Sequence, residues 1–463
     1  MRMSKQPTGT PNTPPCRAKV GQAVPPDYCS WLPLVLLLAC ACSAPSSPVE
    51  TGYRDPEFAR VPFAKWLAEG HASQIHWSVT ISPAELSTHQ RLILRVTARI
   101  DGKELEKRRN AGSFEALIEY ADSTGHVWQN HSSVDPARLQ AAMQHQYLDI
   151  HFYAFILPGD YTVSLGVCDP KTFEHSVAIR KVHVNPLKTE PLPHSWAGLP
   201  AVDLVPASTE PPDIWYLGDT QTRLNLPAET KRPLHVQLLL NTTPSQKAAG
   251  SAAALRDNMS VLIPAMKVLS QMQLRNGTID AAMLDLTHRK VVFDQKNASA
   301  LDWDSMRKFF LDARPGIVDV RTLEGQHRML PFFRDELKKR MEPRGDGCSQ
   351  LTIVLSGPAF YEDQESVETA AEPNDPSRQL IYIRYRTVPV PRRYPPGMQA
   401  PNRFARFSVT PLNLPDPEVL IPPMREDDLE KTAEPMNARI FDAASAQQFR
   451  RILAAVMEQI SRM

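Results

Sequence analysis

No run of residues in this chain is long and apolar enough to stand as a helix across a bilayer. The longest, WLPLVLLLACAC at 31–42, has twelve residues, against the roughly twenty that a spanning helix needs. Cysteine is scarce as well. Six are present, at 16, 29, 40, 42, 168 and 348, and four of them precede residue 43, which excludes a disulfide-stapled scaffold. Charge of neither sign is in excess, since 52 lysines and arginines meet 51 aspartates and glutamates. A formal charge of +1 makes no long-range field that would gather nucleic acid. The one basic cluster with aromatic interleaving, Arg384, Tyr385, Arg386, Arg392, Arg393 and Tyr394, has no partner stripe elsewhere. The phosphate loop GxxxxGK[ST], the fingerprint GxGxxG, HExxH and GxSxG are all missing. No cofactor, no metal and no catalytic residue is expected.

Proline is plentiful, at 43 residues, and should concentrate in linkers and loops, because it is disfavoured inside helices and central strands. Hydrophobic types make up 42% of the 463 residues, enough to fill the cores of two or three domains.

The twelve-residue apolar run has the length of the core of a secretory signal, and Arg2, Lys5, Arg17 and Lys19 form its positive flank. The 30-residue lead is long for such a signal and points to a start codon downstream of Met1. Leu37-Leu38-Ala39-Cys40 resembles the bacterial lipobox, in which the cysteine thiol receives diacylglycerol and becomes the new first residue. That resemblance implies a signal at 1–39 and lipidation at Cys40. The buried methylenes would hold the protein at a membrane at about 0.8 kcal/mol each. Cys42 fits less well, with Ala39 where the pattern favours leucine, and ordinary cleavage near Ala44 is the remaining alternative. Residues 40–73 open with serine, proline and charge and are expected to form a tether.

From 74 to 184 the pattern has period two. Leu92, Leu94, Val96, Ala98 and Ile100 share one face, and Phe114, Ala116, Ile118 and Tyr120 another. Asp101-Gly102 is expected to turn a hairpin, and Pro158-Gly159-Asp160 to turn between two further strands. Strands with one buried face need a second layer, so an antiparallel β-sandwich is expected. The stretch LPGDYTVSLGVCD resembles the penultimate strand of immunoglobulin-like or transthyretin-like sandwiches. Residues 185–232 hold eight prolines and read as a stiff connector, although Trp196, Ile214, Trp215, Tyr216 and Leu217 are too apolar for a wholly wet linker.

Residues 233–463 alternate strands and helices, which implies an α/β, mostly parallel sheet covered on both faces. Leu234–Leu240 reads as a central strand. Ala252–Leu274 has helical spacing that Pro264 should kink or divide, and Asp302 should cap a helix beginning near Trp303. Ser445 and Gln448 have the spacing of a capping box before the last helix, and 387–425 reads as a proline- and charge-rich insertion.

This order resembles the von Willebrand factor A domain in its divergent exported bacterial form, on LHVQLLLNTTPSQ at 234–246, GTIDAAMLDLTHRKVVFDQ at 277–295, LTIVLSGPAF at 351–360 and ARIFDAASAQQFRRILAAVMEQIS at 438–461. In that family the first strand ends in Asp-x-Ser-x-Ser, whose carboxylate and hydroxyls hold a divalent ion. The matching residues here are Asn241, Thr243 and Ser245, so the hydroxyls persist and the charge is gone. The family's later aspartate is also missing, the local sequence being Leu355-Ser356-Gly357-Pro358. The resemblance implies a degenerate ion site and a non-catalytic envelope binding, adhesion or scaffolding protein. Asn241, Thr243, Ser245 and Ser356 are its ligand-binding candidates, with a protein partner, a lipid-anchored membrane contact and no nucleic acid. Two alternatives stand beside it: a cryptic hydrolase using Ser356, or Cys348 with His288 or His327, and a purely structural module.

Overall fold

The alternating strands assemble into two sheets packed face to face. One runs in the order β1 (Gly52–Tyr53), β6 (Val127–Val134), β5 (Phe114–Asp122), β8 (Gly159–Cys168), β9 (His175–Val184). The other runs β10 (Val202–Leu204), β7 (Tyr147–Ile156), β4 (Leu92–Asp101), β2 (Trp77–Ile81), with β3 (Glu85–Leu86) paired to β4. All pairings are antiparallel except that of β1 with β6. Leu94, Val96, Ala98 and Ile100 from one sheet meet Phe114, Ile118, Tyr120, Val163 and Leu165 from the other in a shared core. Each such aliphatic side chain contributes about 1.5–3 kcal/mol relative to exposure. The computed structural model describes residues 52–70, 74–110, 112–139, 146–205, 224–243, 252–297, 301–312, 326–345, 347–361, 364, 375–386 and 426–463.

Two local expectations change. Asp101-Gly102 makes no hairpin. The Asp101 carboxylate accepts the Lys103 N–H at 2.9 Å and caps a short helix, α2 (Gly102–Lys107), that carries the chain from one sheet to the other. Aspartate before glycine satisfies a helix start as well as a turn. Residues 52–70, expected within the tether, pack on the first sheet. Helix α1 (Phe63–Glu69) buries Phe63 and Trp66 against Leu117, Cys168 and Val177, and Trp66 stacks on His175 at 4.2 Å. This cover buries the Cys168 thiol and pushes its pKa up to about 12. Neither Cys168 nor Cys348 is in a disulfide.

The described parts of the connector are also packed, while Ile214, Trp215, Tyr216 and Leu217 lie outside the described residues. β10 extends the second sheet beside β7, and Trp196 lies against the cores on both sides of it. β11 (Leu226–Ala228) pairs in parallel with β13 (Met272–Leu274).

The remainder is a doubly wound α/β sheet ordered β15 (Lys290–Gln295), β14 (Gly277–Asp285), β12 (Leu234–Asn241), β16 (Ser349–Ser356), β17 (Arg378–Tyr385), β18 (Arg439–Ala443). Only β15, at the edge, is antiparallel. Every residue of β12 and β16 is buried, as a strand covered on both faces requires. α3 (Ala252–Ser270) and α7 (Ala446–Arg462) cover one face, α5 (Met329–Arg340) and α6 (Asp428–Ala433) the other. α4 (Trp303–Asp312) starts at its expected cap, with Asp302 accepting the Ser305 N–H at 3.0 Å. α3 continues through Pro264 instead of dividing there. At α7 the Ser445 hydroxyl accepts the Gln448 N–H at 3.2 Å, but the Gln448 side chain bonds the N–H of Ala444, one residue short of a reciprocal box. The insertion at 387–425 lies outside the described residues.

Candidate functional site

In this strand order the connections from β12 and β16 leave in opposite directions, so a crevice belongs between their carboxyl ends. Those ends are Asn241 and Ser356. The structure brings them together: Asn241 Nδ2 donates to Ser356 Oγ at 2.9 Å. It also faces the Tyr361 hydroxyl at 3.3 Å and the Thr243 carbonyl at 3.4 Å. Asn241 Oδ1 accepts the Thr243 N–H at 2.9 Å, and the Tyr361 hydroxyl donates to the Thr243 carbonyl at 3.4 Å. Ser356 donates onward to the Gly357 carbonyl at 2.7 Å, while the Thr243 hydroxyl accepts the Leu286 N–H at 2.7 Å.

Asn241, Thr243 and Ser356 are therefore gathered but turned inward, all three buried. Their polar atoms hold the strand ends to one another, and the Tyr361 phenol fills the gap between them. Ser245 and Cys40 lie outside the described residues.

A second buried polar group lies behind Tyr361. Asp427, fully buried, accepts the N–H groups of Ala359 at 3.1 Å and Glu430 at 2.8 Å and the Tyr382 hydroxyl at 3.0 Å. Asp428 accepts the Tyr361 N–H at 2.7 Å. Arg384 pairs with Asp442 through two bonds, at 2.6 and 3.0 Å, and with Glu430. The basic cluster seen in the sequence thus begins with a guanidinium that is neutralised inside the fold, and Arg392, Arg393 and Tyr394 lie outside the described residues. The capping box of Asp427 and Glu430 that starts α6 was missed in the sequence. Asp-x-x-Glu was its only signal, at the margin of a stretch read as an insertion.

Burial pushes the Asp427 carboxyl up to about 6, against an ordinary value of 3.8 and in spite of its three donors. A raised acid pKa means that the folded state holds the proton more tightly. This group's contribution is therefore fully present below 3.8 and is lost as pH rises through about 6. Over that window the loss comes to about 2–3 kcal/mol. Asp427→Asn cannot titrate, so the stability of the natural chain relative to this variant should fall by that amount between pH 4 and pH 6.5. Urea midpoints for both proteins across the range would check it, and parallel curves would refute it.

The pairs considered for hydrolysis do not form. Ser356 has no imidazole partner among the described residues, since its oxygen is engaged by Asn241 and Gly357. Cys348 precedes β16, at the amino-terminal edge of the sheet, whereas His288 follows β14 at the opposite edge and bonds Asp285 at 2.7 Å. α5 runs back along the sheet, with its last carbonyl, on Arg340, bonded to Gln237, so His327 at its start is also remote from Cys348. A hydroxyl–imidazole–carboxylate array does occur at the amino-terminal edge. Thr278 Oγ1 is 2.8 Å from His235 Nδ1, and His235 Nε2 is 3.2 Å from Asp280. Arg344 Nη1 also approaches Nε2, at 2.9 Å. A carboxylate can only accept and a guanidinium can only donate, so Asp280 and Arg344 make opposite demands on Nε2, and the contacts fix no single tautomer.

Among the described residues no three His, Cys, Asp or Glu side chains form a group that could hold a metal ion. No protein-family model matches this chain, and a search of curated proteins finds no match either.

Proposed function

We propose that this chain is a non-catalytic binding or scaffolding protein of a cell envelope, held at a membrane by a lipid on Cys40. On this reading residues 233–463 are a divergent von Willebrand factor A-like domain with a degenerate ion site, and the β-rich region before it is an immunoglobulin-like or transthyretin-like sandwich. The observation that carries the reading is the closed switch point. Where the resemblance places a carboxylate and two hydroxyls around a divalent ion, an amide, a serine and a tyrosine bond to one another. The doubly wound strand order supports it as well. Partner recognition then falls to Ser245, four residues after β12 in the sequence, without a metal bridge.

Two measurements test this. Membrane fractionation with mass spectrometry of the mature amino terminus should find a diacylated Cys40; a full-length, unmodified chain in the cytosol would remove the envelope setting. Pull-downs from envelope extract should lose captured partners with Ser245→Ala and show weak sensitivity to EDTA. Capture abolished by EDTA and restored by magnesium would overturn the degenerate-site reading.

A further inference from the structure

A cavity of about 330 Å³ opens at the amino-terminal edge of the α/β sheet, beside the starts of β17 and β18. Ligand sites typically begin near this size. Its apolar wall includes Met341, Leu380, Ile381 and Met436, and its polar wall includes Arg378 and Arg439. The two guanidiniums are held differently. Arg378 is committed to the fold, with Nε on Asp375 at 2.8 Å and Nη1 on the Met341 carbonyl at 3.2 Å. Bonds from Ser377 and Arg378 keep the Asp375 carboxyl down at about 2, so its charge cancels that of Arg378. Arg439 is exposed and is held in place by two contacts: one bond to Gln459 Oε1 at 3.1 Å, and a stack over the Phe441 ring at 4.8 Å. Gln459 is itself bonded to Gln379. One positive charge is left over, on a planar fork already positioned beside an apolar wall.

We propose that this cavity binds a carboxylate borne on an apolar stem, with Arg439 as the anion-binding group. A guanidinium meets a carboxylate through two parallel N–H···O bonds, and a single residual charge suits a monoanion. The carboxyl terminus of a peptide and a fatty acid share this chemistry. The site lies at the opposite ends of the strands from Asn241 and Ser356, so its test is independent of the question of the ion site.

The experiment is calorimetric titration of the full chain with three probes: N-acetyl-leucyl-leucine, its carboxyl-terminal amide, and octanoate. The acid should bind at least roughly tenfold more tightly than the amide, the scale of one charge-assisted hydrogen-bonded pair. Arg439→Gln should remove the same factor, and Arg439→Glu should abolish binding. Both changes are at an exposed side chain, and a retained thermal transition would show that the fold is intact. Binding by the peptide alone would assign the site to a peptide carboxyl terminus; binding by octanoate too would assign it to carboxylate-capped chains in general. Equal affinity for acid and amide, indifference to Arg439→Gln, or no binding by either acid up to about 1 mM would overturn the proposal.

Discussion

Arg450→Ala is expected to cost about 3–5 kcal/mol of folding stability, as removal of one partner from a buried ion pair does. Arg450 has no exposed surface at all, an unusual position for an arginine. Its guanidinium meets Glu190 at 2.9 and 2.8 Å, Ser195 Oγ at 2.6 Å and the Gln90 carbonyl at 3.3 Å, and it lies over the Trp196 ring at 4.7 Å. The groups that meet here come from three places. Gln90 is in the loop before β4, Glu190, Ser195 and Trp196 are in the connector, and Arg450 is in the second turn of α7. Trp196 Nε1 donates to the Gln90 carbonyl at 2.8 Å, and Gln90 Nε2 donates to the Ala446 carbonyl at 3.1 Å. Arg450 is thus one of the groups that fasten the two cores, beside the Gln90–Ala446 bond and the Trp196 ring. Truncation leaves the half-buried Glu190 carboxylate without its guanidinium. Urea unfolding should therefore show a lower midpoint and a separation of one transition into two, as the β-rich and α/β parts melt independently. Arg450→Met with Glu190→Leu should cost less than Arg450→Ala, because no charge is left without its partner. A loss below about 1 kcal/mol in the alanine variant would mean that the junction is wet and the pair worth no more than a surface bridge.

Arg450 also shows where the sequence stopped being legible. Its spacing within α7 is visible, as are Phe449, Leu453 and Val456 on the buried face of that helix. Nothing local says that an arginine next to Phe449 is buried too, because its partners are some 260 and 360 residues away in the chain. Period-two and helical patterns predicted most of the strands and the long helices, since one-sided burial imposes them whatever the topology. Short elements escaped. α1, α2 and α6 have too few residues for a period to emerge, and each rests on a cap or a tertiary contact. The site was half legible. The register of the resemblance picked out Asn241, Thr243 and Ser356, which the fold brings together. Tyr361 lay five residues beyond Ser356 in a loop with no periodicity, and its role depends on how that loop folds back over β12.

Asn241→Asp puts that reading to its sharpest test. If the site were a metal centre lacking only its charge, restoring the carboxylate should produce magnesium affinity. The geometry gives the opposite expectation. Asn241 is buried, and its Nδ2 donates toward Ser356, Tyr361 and the Thr243 carbonyl. A carboxylate has no hydrogen to give the carbonyl, and two acceptors would then face each other in a dry site. The Ser356 and Tyr361 hydroxyls can turn to donate, which limits the damage. Burial should still raise the new carboxyl's pKa. The sign follows: the variant comes closest to natural stability at low pH, where the acid is neutral, and loses about 2–4 kcal/mol as pH rises through its folded pKa. Thermal melts of the variant at pH 5 and pH 7.5, with and without magnesium, separate the two views. A neutral-pH loss that magnesium leaves untouched fits a site closed by Tyr361. Magnesium that restored the neutral-pH melting temperature to that of the natural chain would show that the phenol yields its place to an ion, and that the missing charge alone had emptied the site.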